Sequence, residues 1–482
     1  MIMVSFLVFI LGFALIGISA SRWSKRSTTD YLVAGRGVSP WLTALSSMAT
    51  NNSGYAFVGL VGFAYRFGLS SLWLSLAWVI GDTLVWIFVH RRVRQYSGAT
   101  GTCSVPSLLA TDLKGTMLRP LAFSAGLVTF LFLAVYAGAQ LKAGATALHG
   151  LLGLDLNLGI GIGTAIVVLY CFAGGLRASI WTDSAQSWVM MAGMALMMGF
   201  SLYEVGGPHH LVAGLNAQDA ALAEVFPGDM SLGFPLYFLG FVAGGFGAIG
   251  APHILIRTMA LKSVDVFRQT RRIYLLTFVP FVFCSAVIGL YARVLLPELA
   301  VIPEGVSVEL GGTLLVQQAE SALPHMAQAL LPEIAVGLIL AALFAATLST
   351  ADSQILSCSA AVTQDMFPRF KNSYVSSKLA TLAVATLSML VAMFAGEGVF
   401  SLVLIAWSAL AAILGPLLLV RLFGGSLSNG QGLTMMVSGL TTVVVWNNGP
   451  FSQGVYSVLP GILVPLMVYV LARFLGRRNA VT

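Results

Sequence analysis

The sequence predicts an all-α polytopic membrane protein of about thirteen transmembrane helices, with its first residue outside and its last inside. Three observations carry this reading. Only 9% of the 482 residues are charged and 58% are hydrophobic, whereas a soluble chain carries roughly a quarter charged residues. Apolar runs of about 20 residues, long enough to cross a bilayer core of about 30 Å, recur along the whole length. When each run flips the side, 22 of the 25 lysines and arginines fall on one side, leaving Arg66, Lys142 and Arg293 at the other. Inner loops concentrate positive charge in this way. The net charge of +7 is thereby explained by orientation, with no need for nucleic acid as a partner.

The runs lie near 2–20, 40–65, 70–90, 119–148, 156–175, 184–204, 232–256, 273–297, 329–351, 378–396, 399–421, 431–448 and 455–474. The first lacks a basic leader, and its positive cluster (Arg22, Lys25, Arg26) follows it, so it reads as a retained helix with its N-terminus outside, not a signal peptide. The second contains Ser46-Ser47-Met48-Ala49-Thr50-Asn51-Asn52-Ser53-Gly54, too polar for an ordinary lipid-facing helix. Run six opens at Thr182-Asp183, residue types that cap helix N-termini. Run seven holds Gly244, Gly245, Gly247, Gly250 and Pro252 inside a membrane segment. Irregular backbone at that depth requires protein or a water-filled cavity around it, although glycines also serve close helix packing. Run nine leads from Leu338 into Ser349-Thr350-Ala351-Asp352-Ser353-Gln354. Such groups are costly in hydrocarbon and normally mark ion or substrate handling, and hydroxyls with a carboxylate suit a small bare cation. Segments 205–231 and 298–328 read as outer loops or short caps.

The two interrupted runs are five apart. An odd displacement reverses direction through the membrane, so runs 2–6 and 7–11 read as inverted repeats, and paired broken helices in corresponding positions point to a transporter's central site. Other motifs carry nothing. Gly245, Gly247 and Gly250 match GxGxxG but follow no strand; no Gly-Lys dipeptide is present for a phosphate-binding loop; Asn51-Asn52-Ser53 is a glycosylation sequon inside the membrane. Cys103, Cys171, Cys284 and Cys358 show no paired spacing. No enzymatic motif appears.

Six segments in order resemble the sodium:solute symporter family, particularly its sodium/proline branch: YLVAGR (31–36), ALSSMATNNSGY (44–55), TCSVPSLL (102–109), GGLRASIWTDSAQ (174–186), GAPHILIRTMA (250–260) and AATLSTADSQILSCSAAVTQDMF (345–367). The resemblance implies a LeuT-type fold of two five-helix inverted repeats. It divides the single symporter domain 1–482 into an extra N-terminal helix and inner loop (1–39), a first repeat (40–204), a second (232–422) and two extra helices (423–482). It implies a sodium site from the backbone carbonyls of Ala49, Asn52 and Ala346 and the hydroxyls of Ser349 and Thr350. Asp183, Asp352 and Ser353 would form a second sodium or coupling site, with helix capping the alternative role for Asp183. Asn51, Ser53, Gly54, Tyr55, Tyr136, Gly244, Phe246 and Ala248 would face the solute. Asn51 stands where the proline branch has an aspartate, and Gly244 and Ala248 stand where it has aromatic residues, which predicts a more open pocket.

The function so implied is sodium-coupled uptake of a small organic solute, proline or another neutral amino acid, across a bacterial inner membrane. No cofactor beyond the coupling sodium ion, and no obligate protein partner, is expected. The alternatives are a different solute (a carboxylate, vitamin or sugar), a transporter-like sensor acting with a separate signalling partner, and a channel.

Overall fold

A computed structural model describes residues 1–228, 230, 232–301, 308–394, 399–450, 452 and 454–478. The last two residues of the run expected at 378–396, and the tail from 479, lie outside the described residues. Helices occupy every predicted run: α1 (Ile2–Ser21), α2 (Pro40–Phe57), α3 (Gly59–Phe67), α4 (Leu72–Phe88), α5 (Arg119–Leu152), α6 (Leu156–Val205), α7 (Phe234–Phe246), α8 (Pro252–Ala260), α9 (Phe267–Leu295), α10 (Glu333–Ala360), α11 (Tyr374–Phe394), α12 (Val399–Leu422), α13 (Asn429–Asn447) and α14 (Val458–Arg478). By length and apolarity alone eight of the described helices can cross a membrane, nine if the bent pair of Phe234–Gly250 and Pro252–Ala260 counts as one span. Breaks hide some of the rest of the thirteen, and α13 and α14 fall short of that length and apolarity. The second run is split between α2 and α3, and runs five and six merge into the 50-residue α6.

Local chemistry sets the boundaries. Ser39 accepts the Leu42 amide ahead of Pro40 in the first turn of α2, the arrangement that satisfies an orphan donor while proline pre-sets φ. Asp155 caps α6 in the same way, through the Leu158 amide at 3.0 Å. Inside α6 the chain turns at Gly175, with φ of 59° and ψ of −144°. A Cβ there would lie 2.4 Å from the Tyr31 carbonyl, so glycine is required both by conformation and by space. The second half of α6 therefore starts just after Gly175, about two turns earlier than the sequence reading. Asp183 is inside the helix, and the N-cap role expected as its alternative is excluded. The outer segments carry short helices of their own, at Pro208–Gln218, Val308–Glu320 and Ala322–Leu330.

At the centre is α10, which packs on α2, α5 and α6 and has no exposed residue along Ala341–Ala361. Its polar stretch is thus enclosed by protein, the condition under which such groups are tolerated at membrane depth. The first helix packs on α6 and α10, with Phe6 edge-on to Phe344 at 5.5 Å between ring centroids.

The glycines of α7 do two jobs. Gly245 and Gly81 let α7 and α4 touch backbone to backbone: a Cβ at Gly245 would sit 2.0 Å from the Trp78 carbonyl, and one at Gly81 2.0 Å from that of Val242. Beyond Gly250 the chain bends by 57° into α8. The close-packing role is therefore real for Gly245, alongside the break. Gly245→Ala is expected to cost ~1–3 kcal/mol by overpacking, seen as a lowered Tm of the solubilised protein. Gly12→Ala, whose added methyl meets nothing within 4 Å, is expected to leave Tm unchanged.

Candidate functional site

The break in α2 falls at Ser53, whose φ of 47° and ψ of −175° are non-helical, a conformation a residue with a side chain holds only when its surroundings impose it. Neighbouring groups satisfy the freed backbone. The Gly54 amide donates to Gln140 Oε1 of α5 at 3.0 Å, the Tyr55 amide to Ser53 Oγ at 3.1 Å, and the Asn52 side chain to the Met48 carbonyl at 2.9 Å.

Against this break stands the hydroxyl run of α10. Thr350 Oγ1 is 3.0 Å from the Thr50 carbonyl of α2 and 3.1 Å from the Ala346 carbonyl; Ser349 Oγ donates to the same Ala346 oxygen at 3.1 Å. Thr50 Oγ1 is 3.2 Å from Ser353 Oγ. All are buried. A hydroxyl that donates its hydrogen to a carbonyl keeps two lone pairs, so these oxygens can still accept a cation. Ala49, Asn52, Ala346, Ser349 and Thr350 thus fall in one neighbourhood, and Thr50 joins them.

One layer away Asp183, Asp352 and Ser353 also converge, around the guanidinium of Arg257 from α8. Arg257 Nη2 lies 3.0 Å from Asp183 Oδ2, 2.8 Å from Ser179 Oγ and 3.5 Å from Asp352 Oδ1, and it also donates to Ser353 Oγ. Nη1 donates to the His253 carbonyl at 2.9 Å and Nε to Ser46 Oγ at 3.3 Å. Ser46 in turn donates to Asp183 at 2.7 Å, and Asp352 accepts from Tyr170 at 2.8 Å and Ser179 at 3.0 Å. The two aspartates and Arg257 are fully buried. Arg257, which the charge count assigned to the inner loops, is therefore a core residue, and the cation between these carboxylates is a side chain of the protein.

On the other side of the break is a cavity lined by Asn51, Ser53, Tyr55 and Tyr136 with Trp78, Phe278 and Trp407. A second cavity shares Tyr55, Leu74, Trp78 and Leu404 with it and continues toward Arg66 and Glu320. Of the expected solute-facing residues, Gly54, Gly244, Phe246 and Ala248 are absent from the first cavity's lining. The more open pocket predicted from Gly244 and Ala248 is not found. Trp78 and Tyr456 fill the space at Gly244, where a Cβ would lie 2.8 and 2.9 Å from their rings, and Trp407 donates from its indole to the Gly244 carbonyl at 2.9 Å. Tyr55 stacks on Trp78 at 6.1 Å and Trp78 on Trp407 at 5.6 Å. The rings missing from α7 are supplied by α4, α12 and Tyr456 in the segment ahead of α14.

Sequence reasoning passed over Arg257, Asp82, Tyr274 and the two tryptophans. Asp82 left a readable sign, being the one charged residue of the run 70–90. Its carboxylate accepts from Asn51 Nδ2 at 3.0 Å and from Tyr274 OH at 2.9 Å, and Asn51 Nδ2 also reaches Tyr274 OH at 2.7 Å. Nothing in the sequence paired it with Asn51, because α4 and α9 are remote from α2 along the chain.

The solved structure of a substrate-bound, outward-open Na+-coupled sialic acid symporter superposes with a TM-score of 0.79 over 98% of this chain and 97% of that one, at 18% identity. Mhp1, a nucleobase-cation-symport-1 family transporter, superposes at 0.58, covering 93% and 94% at 18% identity. With its broken helices and buried hydroxyls, the molecule is a multi-pass integral membrane protein of the LeuT-type fold, built as a cation-coupled secondary transporter. Residues 31–439 match the sodium:solute symporter family, and the chain belongs to that family. It is similar to the high-affinity proline transporter PutP of Bacillus subtilis strain 168, at 28% identity over 91% of both chains. It is also similar to the sodium/proline symporter of Escherichia coli strain K12, at 27% identity over 98% of this chain and 93% of that one.

Proposed function

We propose that this chain, acting alone, imports proline or another small neutral amino acid together with sodium. The ion sits among the carbonyls of Ala49, Asn52 and Ala346 and the hydroxyls of Ser349 and Thr350, and the solute occupies the adjoining cavity. One observation carries the reading: Thr350 Oγ1 meets the Thr50 carbonyl across two elements at 3.0 Å, beside the same break whose other face lines the cavity. An ion bound there ties α2 to α10 and so senses the segment that also contacts the solute. Both full-length relatives named above are proline transporters by name, and that supports the solute assignment. The Arg257 cluster meets the needs of Asp183 and Asp352 with a side chain, so the reading uses a single coupling ion. One sodium ion crossing about 100 mV releases about 2.3 kcal/mol, and a tenfold gradient adds about 1.4 kcal/mol. That sustains accumulation of a neutral solute on the order of 500-fold.

The test is uptake of labelled proline by proteoliposomes, with an inward sodium gradient and with choline in its place. Sodium-dependent accumulation that a panel of amino acids competes for is the expected result. Accumulation that continues undiminished in choline refutes the coupling, and exclusion of proline and the other neutral amino acids in favour of a different kind of solute refutes the solute assignment.

A further inference from the structure

We infer that Asp82 is the countercharge of the solute site, set one layer behind the cavity wall, and that the solute it serves carries a protonated amine. This rests on the proposed location of the solute and deepens it. The Asn51 amide spends both its hydrogens away from the cavity, on Asp82 Oδ1 at 3.0 Å and Tyr274 OH at 2.7 Å. Tyr274 spends its own hydrogen on Asp82 Oδ2 at 2.9 Å. A carboxylate only accepts hydrogen bonds and a phenol donates one, so this closed ring permits one orientation of the amide. Its carbonyl oxygen, Oδ1, is left as a buried acceptor with no hydrogen-bond partner among the described residues, on a residue that lines the cavity. A buried, unpaired acceptor costs about 1–3 kcal/mol, and a donor arriving from the cavity removes that cost.

Charge accounting points the same way. Asp82 is fully buried. Asp30, Asp183 and Asp352 are each matched to an arginine, whereas among the described residues no cationic nitrogen lies within ion-pair distance of buried Asp82 or Asp365, and of these two it is Asp82 that is tied to a residue of the cavity wall. Trp86, stacked on Tyr274 at 4.2 Å between centroids, brings no charge to the ring of hydrogen bonds. A carboxylate enclosed without a cation is strongly unfavourable. The opening left for a positive charge is the cavity, through the Asn51 amide, which the carboxylate polarises toward its oxygen. Asp82 and Tyr274 are positioning residues here, and Asn51 Oδ1 is the atom that receives the amine.

The experiment titrates the tryptophan fluorescence of the solubilised full-length protein in sodium, since Trp78 and Trp407 line the cavity. The probes are the common amino acids and their amine-free carboxylic acid counterparts, such as cyclopentanecarboxylate beside proline. Ligands are expected only in the amine-bearing set. Asp82→Asn is expected to weaken the best of them tenfold or more. Moving the charge to the wall, in the double variant Asn51→Asp with Asp82→Asn, is expected to restore affinity to within about threefold, with KM for uptake following and the maximal rate little changed. Tyr274→Phe, which keeps the ring and removes one restraint on Asn51, is expected to weaken binding about threefold and covers the case in which Asp82→Asn does not fold. Binding of another amino acid in place of proline removes the proline assignment and supports the amine. Equal binding of an amine-free acid, affinity unchanged in Asp82→Asn and Tyr274→Phe, or no ligand in the whole panel overturns the inference.

Discussion

Arg257→Met is expected to be the most damaging single substitution in the protein, costing about 3–5 kcal/mol, the range for removing one partner of a buried ion pair. The reason lies in what is left behind. Asp183 and Asp352 are fully buried on α6 and α10, and without the guanidinium each is a carboxylate in a dry core, held only by hydroxyls of Ser46, Ser179, Ser353 and Tyr170. Arg257→Lys is expected to recover only part of the loss, because one ammonium cannot reproduce a planar fork reaching α2, α6 and α10 together. Neutralising both acids in the Arg257→Met background, with Asp183→Asn and Asp352→Asn, is expected to return most of the stability while uptake stays impaired, since the cluster joins α2 and α6 to α8 and α10. Chemical unfolding in detergent measures the first effect and vesicle uptake the second. An Arg257→Met protein as stable as its parent would show that the cluster holds no net charge balance of this kind.

That cluster also shows how far the sequence could be read. The two weak places in the chain, Ser46–Gly54 and Ser349–Gln354, were visible because polar residues break an apolar background, a local signal. Their meeting across about 300 positions is implied by the family resemblance, since the interrupted runs that pair as inverted repeats are two and seven. The partners of those residues were not legible in the same way. Arg257 looks like one more inner-side arginine, because the positive-inside pattern counts charge by position in the chain and is blind to burial. Asp183 sits where the apolar run seemed to begin, and only the turn at Gly175 reveals that the helix starts earlier. Gly244 and Ala248 suggested an open pocket because volume removed from one helix is visible in sequence, whereas rings brought in from α4, α12 and Tyr456 are a property of the fold. Periodicity and polarity therefore identified the elements and the break, and tertiary contacts decided which charges balance and how wide the cavity is.

Ser349→Ala and Thr350→Ala are expected to raise the sodium concentration for half-maximal uptake by roughly ten- to a hundredfold each, taking about 1.5–3 kcal/mol for a hydroxyl lost from a charged partner and about 1.4 kcal/mol per factor of ten. Their geometry separates the two. Ser349 Oγ is tied only to the Ala346 carbonyl of its own helix, at 3.1 Å, so its removal leaves the sodium-free protein much as it was. Thr350 Oγ1 also bridges to the Thr50 carbonyl at 3.0 Å, so its loss loosens α2 from α10 even without the ion. A bound ion stabilises the folded state by RT ln(1 + [L]/Kd), about 2.7 kcal/mol at a hundred times Kd. Sodium should therefore raise the Tm of the parent protein, and at moderate concentration fail to do so in either variant. In sodium-free buffer only Thr350→Ala should melt earlier, and Thr350→Ser should restore the parent values. Sodium dependence identical to the parent in both alanine variants would take the hydroxyls out of the ion site and leave them as back-bonded helix residues.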